Sequence, residues 1–309
     1  MPAADFQLLI VGGGPAGLTA GLYAARARLN VVLLEKGVPG GQVMNTDWVD
    51  NYPGFPEGIS GFDLAEKMAA QAQRFDLTTR HCEVKSMDLS GPVKKIFLEG
   101  GETLTGLAVI LATGARPNQL GVPGEKELTG KGVSYCATCD GPFYRGLEIA
   151  VVGGGDTAIQ EAVHLTKFAS KVTVIHRRDE LRAAKIIQEQ AFASEKIEFI
   201  WNSTVTEITG NNEVEGLGLR NTLTGERTAL AVKGVFVLIG IRPNNEMLPL
   251  DQLDNDGGFI RTDKEMRTSL PGVWAAGDIC SKNLRQIANA VGEGAVASIA
   301  AENYLGALK

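Results

Sequence analysis

Two of the four cysteines in the sequence, Cys136 and Cys139, stand three positions apart in "SYCATCDGPFY". Cysteines at that spacing can ligate a metal, brace a fold, or carry electrons as a dithiol–disulfide couple. Two glycine-rich stretches, "GGGPAG" and "GGGDTA", offer a second kind of chemistry. Glycines let the backbone come close to a phosphate, and the amides and dipole of a following helix N-terminus favour its negative charge. The basic run "HRRDELR" offers a third, because guanidinium groups recognise phosphate by charge-assisted hydrogen bonds.

These groups are useful only if the chain positions them. "FQLLIVGGGPAGLTAGLYAARARLNVVLLEK" reads as apolar strand, glycine turn, helical pattern and second apolar strand, and "LEIAVVGGGDTAIQEAVHLTKFASKVTVIHRR" repeats the order. A single GxGxxG is weak, but two copies in strand–turn–helix–strand context point to two dinucleotide-binding βαβ units. Gly12, Gly14 and Gly17 form the first turn; Gly153, Gly155 and Ala158 form the second.

Gly12 precedes Glu35 by 23 positions, and Gly153 precedes His176 by the same 23. That register ends the second strand, where the adenosine ribose is read. Glu35 would accept hydrogen bonds from ribose hydroxyls and repel a 2′-phosphate, which suits FAD or NAD. His176, Arg177 and Arg178, with Arg182 following, make the opposite choice and suit NADPH.

A second echo marks domain exits. "VILATGARPN" and "FVLIGIRPNN" each run from an apolar strand through a glycine to Arg-Pro-Asn, and proline cannot continue a strand ladder. The expected fold is α/β. It has two Rossmann-like, three-layer ββα nucleotide-binding domains, the second (117–245) inserted into a discontinuous first domain (1–116 and 246–309). The returning segment, with "GVWAAGDIC" and a long helical pattern, completes the first sheet.

Composition narrows the class. The 309 residues suit two domains, and 44% apolar with 21% charged residues is a globular balance. A net charge of −6 shows no nucleic-acid footprint. No apolar run approaches membrane-span length, and the N-terminus lacks the basic start of a secretory signal. The expectation is a cytoplasmic protein with no nucleic-acid or membrane partner.

With these residues assembled, the chain resembles the bacterial-type, low-molecular-weight thioredoxin reductases. The resemblance covers nearly the whole chain and rests on an ordered set: "GGGPAGLTAGLYAAR", "GGQ", "NYPGF", "ILATGA", "CATCDG", "GGGDTA", "HRRDELRA", "GVWAAGDI" and "RQIANAVGEG". It implies FAD contacts from Gly12, Gly14, Pro15, Ala16, Gly17, Glu35, Gln42 and Asn51, with Thr113 and Gly114 nearby. It implies that Asp278 holds the ribitol chain and that Arg285, Gln286 and Ile287 reach the flavin ring. NADPH would lie on Gly153, Gly155, Asp156, Thr157 and Ala158 and on the His176–Arg177–Arg178–Arg182 cluster.

The resemblance also gives the cysteine pair a context. A structural zinc needs four ligands, and the remaining donors, Cys82, Cys280, His81, His164 and His176, form no second close pair beyond His81-Cys82. A structural disulfide is unusual in a reducing compartment. The favoured reading is a redox couple and no metal. The resemblance implies that Cys139 is the flavin-proximal sulfur, that Cys136 attacks thioredoxin or a thioredoxin-like protein, and that Asp140 is the acid–base group. Phe143, Tyr144 and Arg145 are candidate partner contacts. A homodimer, and rotation of the NADPH domain on linkers near "ARPNQL" and "IRPNNE", are implied likewise. Two rivals remain: a flavoprotein of the same fold that feeds a peroxidase system or oxygen, and a non-catalytic flavin-binding sensor.

Overall fold

We describe the protein from a computed structural model, which describes residues 3–46 and 48–308. The chain forms β1 (Phe6–Val11), α1 (Pro15–Arg26), β2 (Val31–Glu35), a 3-10 turn (Gly41–Asn45), α2 (Gly61–Gln73) and β3 (Thr78–His81), then β4 (Val84–Asp88), β5 (Lys94–Leu98) and β6 (Thr103–Leu111). β7 (Ala115–Pro117) leads to β8 (Val133–Ser134), α3 (Ala137–Asp140), β9 (Glu148–Val152), α4 (Asp156–Leu165), β10 (Lys171–Ile175), α5 (Lys185–Phe192) and β11 (Ile197–Ile200). Next come β12 (Ser203–Thr209), β13 (Gly216–Asn221), β14 (Arg227–Ala231) and β15 (Gly234–Val237). The chain returns through β16 (Ile241–Pro243), β17 (Asn255–Asp256), β18 (Phe259–Ile260), β19 (Val273–Ala275) and α6 (Ile287–Ala307). Two compact units result, Met1–Arg116 with Pro243–Lys309, and Pro117–Arg242.

In the first unit β1 pairs in parallel with β2 (Leu8↔Val31 to Val11↔Leu34) and with β6 (Leu8↔Ala108 to Val11↔Leu111). β3 and β19 extend this core to the parallel order β3-β2-β1-β6-β19, so the returning chain supplies the fifth strand. Both faces of β1 are covered, which is why its run is continuously apolar. Leu8 and Ile10 face the cluster that includes α1 and α6, while Leu9 and Val11 face the opposite cluster. Gly294 lets α6 approach α1, since a Cβ there would stand 2.2 Å from the Ala16 carbonyl oxygen.

The second unit repeats the plan. Its parallel order is β11-β10-β9-β15-β8, with α4 residues on one face and the antiparallel β12-β13-β14 ribbon on the other. That is the three-layer arrangement expected from the sequence. The first unit differs in one respect: its β4–β5 ribbon is not a separate sheet. β5 pairs antiparallel with the first half of the nine-residue β6, from Phe97↔Thr103 to Lys94↔Gly106.

Each crossing ends in an asparagine that closes a glycine turn of its own unit. The Asn244 amide N–H donates to the Gly114 carbonyl (3.0 Å), and its side-chain Nδ2 donates to the Thr113 carbonyl (2.8 Å). Asn118 does the same to Gly240 (3.0 Å) and Ile239 (3.4 Å). The preceding proline has no N–H, so the asparagine supplies both donors.

Candidate active site and nucleotide cradles

Cys136 and Cys139 form a disulfide with Cα atoms 5.3 Å apart. The short α3 explains why two cysteines so close in sequence can join. Cys136 is its N-cap residue, and the Cys139 N–H donates to Cys136 Sγ at 3.2 Å. Both cysteines are half-buried. Gly141, just after α3, abuts Leu165 and Phe168, where a Cβ would come within 3.1–3.3 Å of both side chains.

One residue that the sequence reading passed over joins this pair to Asp140. Ser134, only 3% exposed, ends β8 and is fixed by its pairing with Phe236 of β15. Its hydroxyl donates to Asp140 Oδ2 at 2.6 Å, while its oxygen accepts the Cys136 N–H at 3.1 Å. A buried serine therefore bridges the backbone of one candidate redox cysteine and the candidate acid. Nothing in the spacing of "VSYC" marks it.

Of the three candidate partner contacts, Phe143 is 50% exposed and Arg145 is exposed, but Tyr144 turns inward. Its ring meets Phe236 edge-on at 5.2 Å and fills the space left by Gly234. Burial, then the nearby carboxylates of Asp140 and Glu213, push its hydroxyl up to about 12.

The first glycine turn sits at the carboxyl ends of β1 and β6. Gly12 has φ +104°, and a Cβ there would lie 2.3 Å from the Ala112 carbonyl oxygen; at Gly17 a Cβ would lie 1.8 Å from the Gly12 oxygen. Gly14 is different: it caps α1 with φ −74°, and a Cβ would meet only Gly41 Cα, 3.9 Å away. Pro15 opens the helix and Ala16 is buried within it. The two Glu35 oxygens accept the Gly13 N–H (2.6 Å) and the Gly37 N–H (2.7 Å), so the carboxylate sits on the glycine turn itself.

Around this turn the fold gathers the other expected residues of the first unit. Gln42 lies in the 3-10 turn beside it, and Gly41 is in contact with Gly14. Asn51 Nδ2 donates to Gln286 Oε1 at 3.1 Å, and Ile287 packs on the Val43–Val49–Ile59–Leu64 cluster. Gly114 takes φ +72°. Thr113 Oγ1 and Asp278 Oδ1 are buried without a hydrogen-bond partner. Burial pushes the Asp278 carboxyl up, against the pull of Lys282 and Arg285. Arg285 stacks 4.5 Å over Phe259 and donates to the Lys282 carbonyl at 2.7 Å and, at 3.3 Å, to that of Cys280. An open Gly14 and two orphaned buried oxygens fit a dinucleotide carrying phosphates and a hydroxylated chain.

The second turn follows β9. A Cβ at Gly153 (φ +154°) would lie 2.5 Å from the Leu238 oxygen and 2.6 Å from Ala158 Cβ. Gly155 caps α4, and Asp156 Oδ1 accepts the Ala184 N–H at 2.7 Å. Thr157 is exposed. His176 takes the place that Glu35 has in the first unit, with its ring under Gly154, and is 6% exposed. Burial and then Arg182, Arg177 and Arg178 hold its pKa below the ordinary value, so a neutral imidazole is favoured. Those three arginines are exposed. The Arg182 N–H donates to the Gly154 carbonyl at 2.7 Å, and its guanidinium lies 3.9 Å from where a Gly155 Cβ would be. A cationic cluster at a glycine turn fits a phosphorylated dinucleotide.

Among the described residues, no group of three or more His, Cys, Asp or Glu side chains is placed to share a metal, and no helix is long and apolar enough to cross a membrane. Cys82 and Cys280 are free thiols.

Residues 6–294 match the pyridine nucleotide-disulphide oxidoreductase family. Among curated relatives, the chain is 47% identical to a thioredoxin reductase of Listeria monocytogenes over 305 residues, covering 98% of this chain and 95% of that one. It is 46% identical to the thioredoxin reductase of Bacillus subtilis over 301 residues, covering 97% and 95%. Among solved structures, thioredoxin reductase from Streptococcus pyogenes superposes with a TM-score of 0.94 at 47% identity, covering 98% of this chain and 99% of that one.

Proposed function

The chain belongs to the pyridine nucleotide-disulphide oxidoreductase family, and we propose that within it the protein is a thioredoxin-disulfide reductase that uses NADPH, FAD and the Cys136–Cys139 couple. The observation that carries this reading is the disulfide at the start of α3, held beside Asp140 by Ser134. FAD, when bound, supplies the exchange between hydride and thiol electron chemistry. Gly12, Gly14, Pro15, Ala16, Gly17, Glu35, Gln42, Asn51, Thr113, Gly114, Asp278, Arg285, Gln286 and Ile287 would hold it. Gly153, Gly155, Asp156, Thr157, Ala158, His176, Arg177, Arg178 and Arg182 would hold NADPH.

Two electrons and one proton break the Cys136–Cys139 bond and leave one thiol and one thiolate. Asp140 takes the proton from the Cys136 thiol. The Cys136 thiolate then attacks one sulfur of the thioredoxin disulfide; a new S–S bond forms, the partner's bond breaks, and the departing thiolate receives the proton from Asp140. Cys139 next attacks Cys136 Sγ, restoring the intramolecular disulfide and releasing the second thioredoxin sulfur as a thiolate, which water protonates. Ser134 keeps the Asp140 carboxyl in one position through both transfers. Exposed Phe143 and Arg145, beyond α3, supply surface for the partner. A homodimer is supported by α6, which carries only Glu293 and Glu302 as charges in 21 residues yet leaves Val296 and Ile299 exposed.

The order of attack is tested by trapping. Cys139→Ser accumulates a mixed disulfide with oxidised thioredoxin after reduction, detectable by intact mass, and Cys136→Ser accumulates none. A mixed disulfide formed by Cys136→Ser instead overturns the assignment.

A further inference from the structure

An ion-pair network joins the loop after β19 to α6, and of its members Gly277, Lys282, Asn289 and Glu293 are not among the FAD contacts named above. Gly277 (φ +80°) donates its N–H to Glu293 Oε2 at 2.8 Å. Lys282 Nζ donates to that same oxygen at 2.7 Å and lies 3.8 Å from Asp278 Oδ1. Asn289 Nδ2 holds the other Glu293 oxygen at 2.8 Å. The backbone carrying Lys282 is pinned in turn by Arg285. The Lys282 and Glu293 side chains are only 13% and 15% exposed. Gly277 and Gly294 both pack against Ala16, so the network lies beside the first turn of α1.

A carboxylate removed from water is costly unless a countercharge and donors compensate it. Asp278 has one oxygen buried without a donor, and burial favours its neutral form. A protonated Asp278 would be a donor; an ionised one accepts on both oxygens. Lys282 stands close enough to favour the ionised form, and Glu293 shares that lysine while fixing the amide one residue before Asp278.

We propose that Lys282 and Glu293 are positioning residues for the flavin site: Glu293 sets the Gly277–Asp278 backbone, and Lys282 holds Asp278 as an ionised acceptor for the hydroxyl-bearing chain of FAD. This rests on the reading that Asp278 contacts FAD.

The test is the rate at which the purified holoenzyme releases FAD into cofactor-free buffer, read by flavin fluorescence. Lys282→Met keeps the side-chain length and removes the charge; it speeds release by about tenfold or more, the scale of a lost charge-assisted hydrogen bond. Lys282→Arg restores slow release, a rescue that mere packing does not produce. Glu293→Met, which strands both Lys282 and the Gly277 N–H, also speeds release. Asp278→Asn separates the two levels of the argument. If Asp278→Asn loses FAD while Lys282→Met and Glu293→Met keep it as the unaltered enzyme does, the positioning role is wrong and the Asp278 reading stands. If Asp278→Asn also keeps FAD, the Asp278 reading fails and the proposal with it. Should Lys282→Met not fold, Lys282→Arg and Glu293→Met decide: slow release from Glu293→Met overturns the proposal.

Discussion

Ser134 illustrates what one buried hydroxyl does in this protein. It donates to Asp140 and accepts from Cys136, so removing it leaves the carboxylate without that donor and a backbone N–H without its acceptor. Hydrogen bonds to charged groups contribute about 1.5–3 kcal/mol. Ser134→Ala is therefore expected to lower kcat with thioredoxin about tenfold to a hundredfold. The KM for NADPH should not change, because the second glycine turn and its arginines lie on other elements. Steady-state kinetics with each substrate varied checks both. This bridge was not legible in the sequence, because a serine two residues before a cysteine carries no periodic or spacing signal. The positions of Glu35 and His176 were legible, since strand register alone places them at the ends of β2 and β10. Their contacts were not: Glu35 sits on two glycine amides, and His176 lies buried under Gly154.

The two glycine turns separate folding from binding within a single motif. Gly17 touches the Gly12 carbonyl so closely that a Cβ has nowhere to go, and the obstacle is backbone. Gly14 has ordinary φ and open space where its Cβ would stand. Gly17→Ala is therefore expected to destabilise the first unit by about 1–3 kcal/mol, as overpacking does. Gly14→Ala should leave the unfolding midpoint of flavin-stripped protein unchanged and still weaken FAD retention. Denaturant unfolding followed by circular dichroism, alongside flavin content after desalting, distinguishes them. At this scale the sequence was most informative. The turn–helix–strand order was readable because glycine placement and apolar runs are local. The β4–β5 ribbon's merger with β6 was not, because it depends on pairing across the unit.

Over the whole molecule the same plan occurs twice, with a glycine turn after the first strand of each parallel sheet core and the Cys136–Cys139 disulfide in the second unit. The repeated Arg-Pro-Asn signal stands at Arg116–Pro117 and Arg242–Pro243, where the chain passes from one compact unit to the other. It did not show that each asparagine closes a glycine turn in its own unit, since those partners are more than 100 residues away. Nor could it reveal the Lys282–Glu293 pair, whose members join a loop to a helix 11 residues on. The central claim, that electrons run from NADPH through this chain to thioredoxin, is tested most directly by anaerobic NADPH oxidation with and without oxidised thioredoxin. The account predicts oxidation that continues past one equivalent of enzyme only when thioredoxin is present, and that stops in Cys139→Ser. NADPH oxidation that stalls at enzyme stoichiometry despite excess thioredoxin, or that continues undiminished in Cys139→Ser, would contradict it.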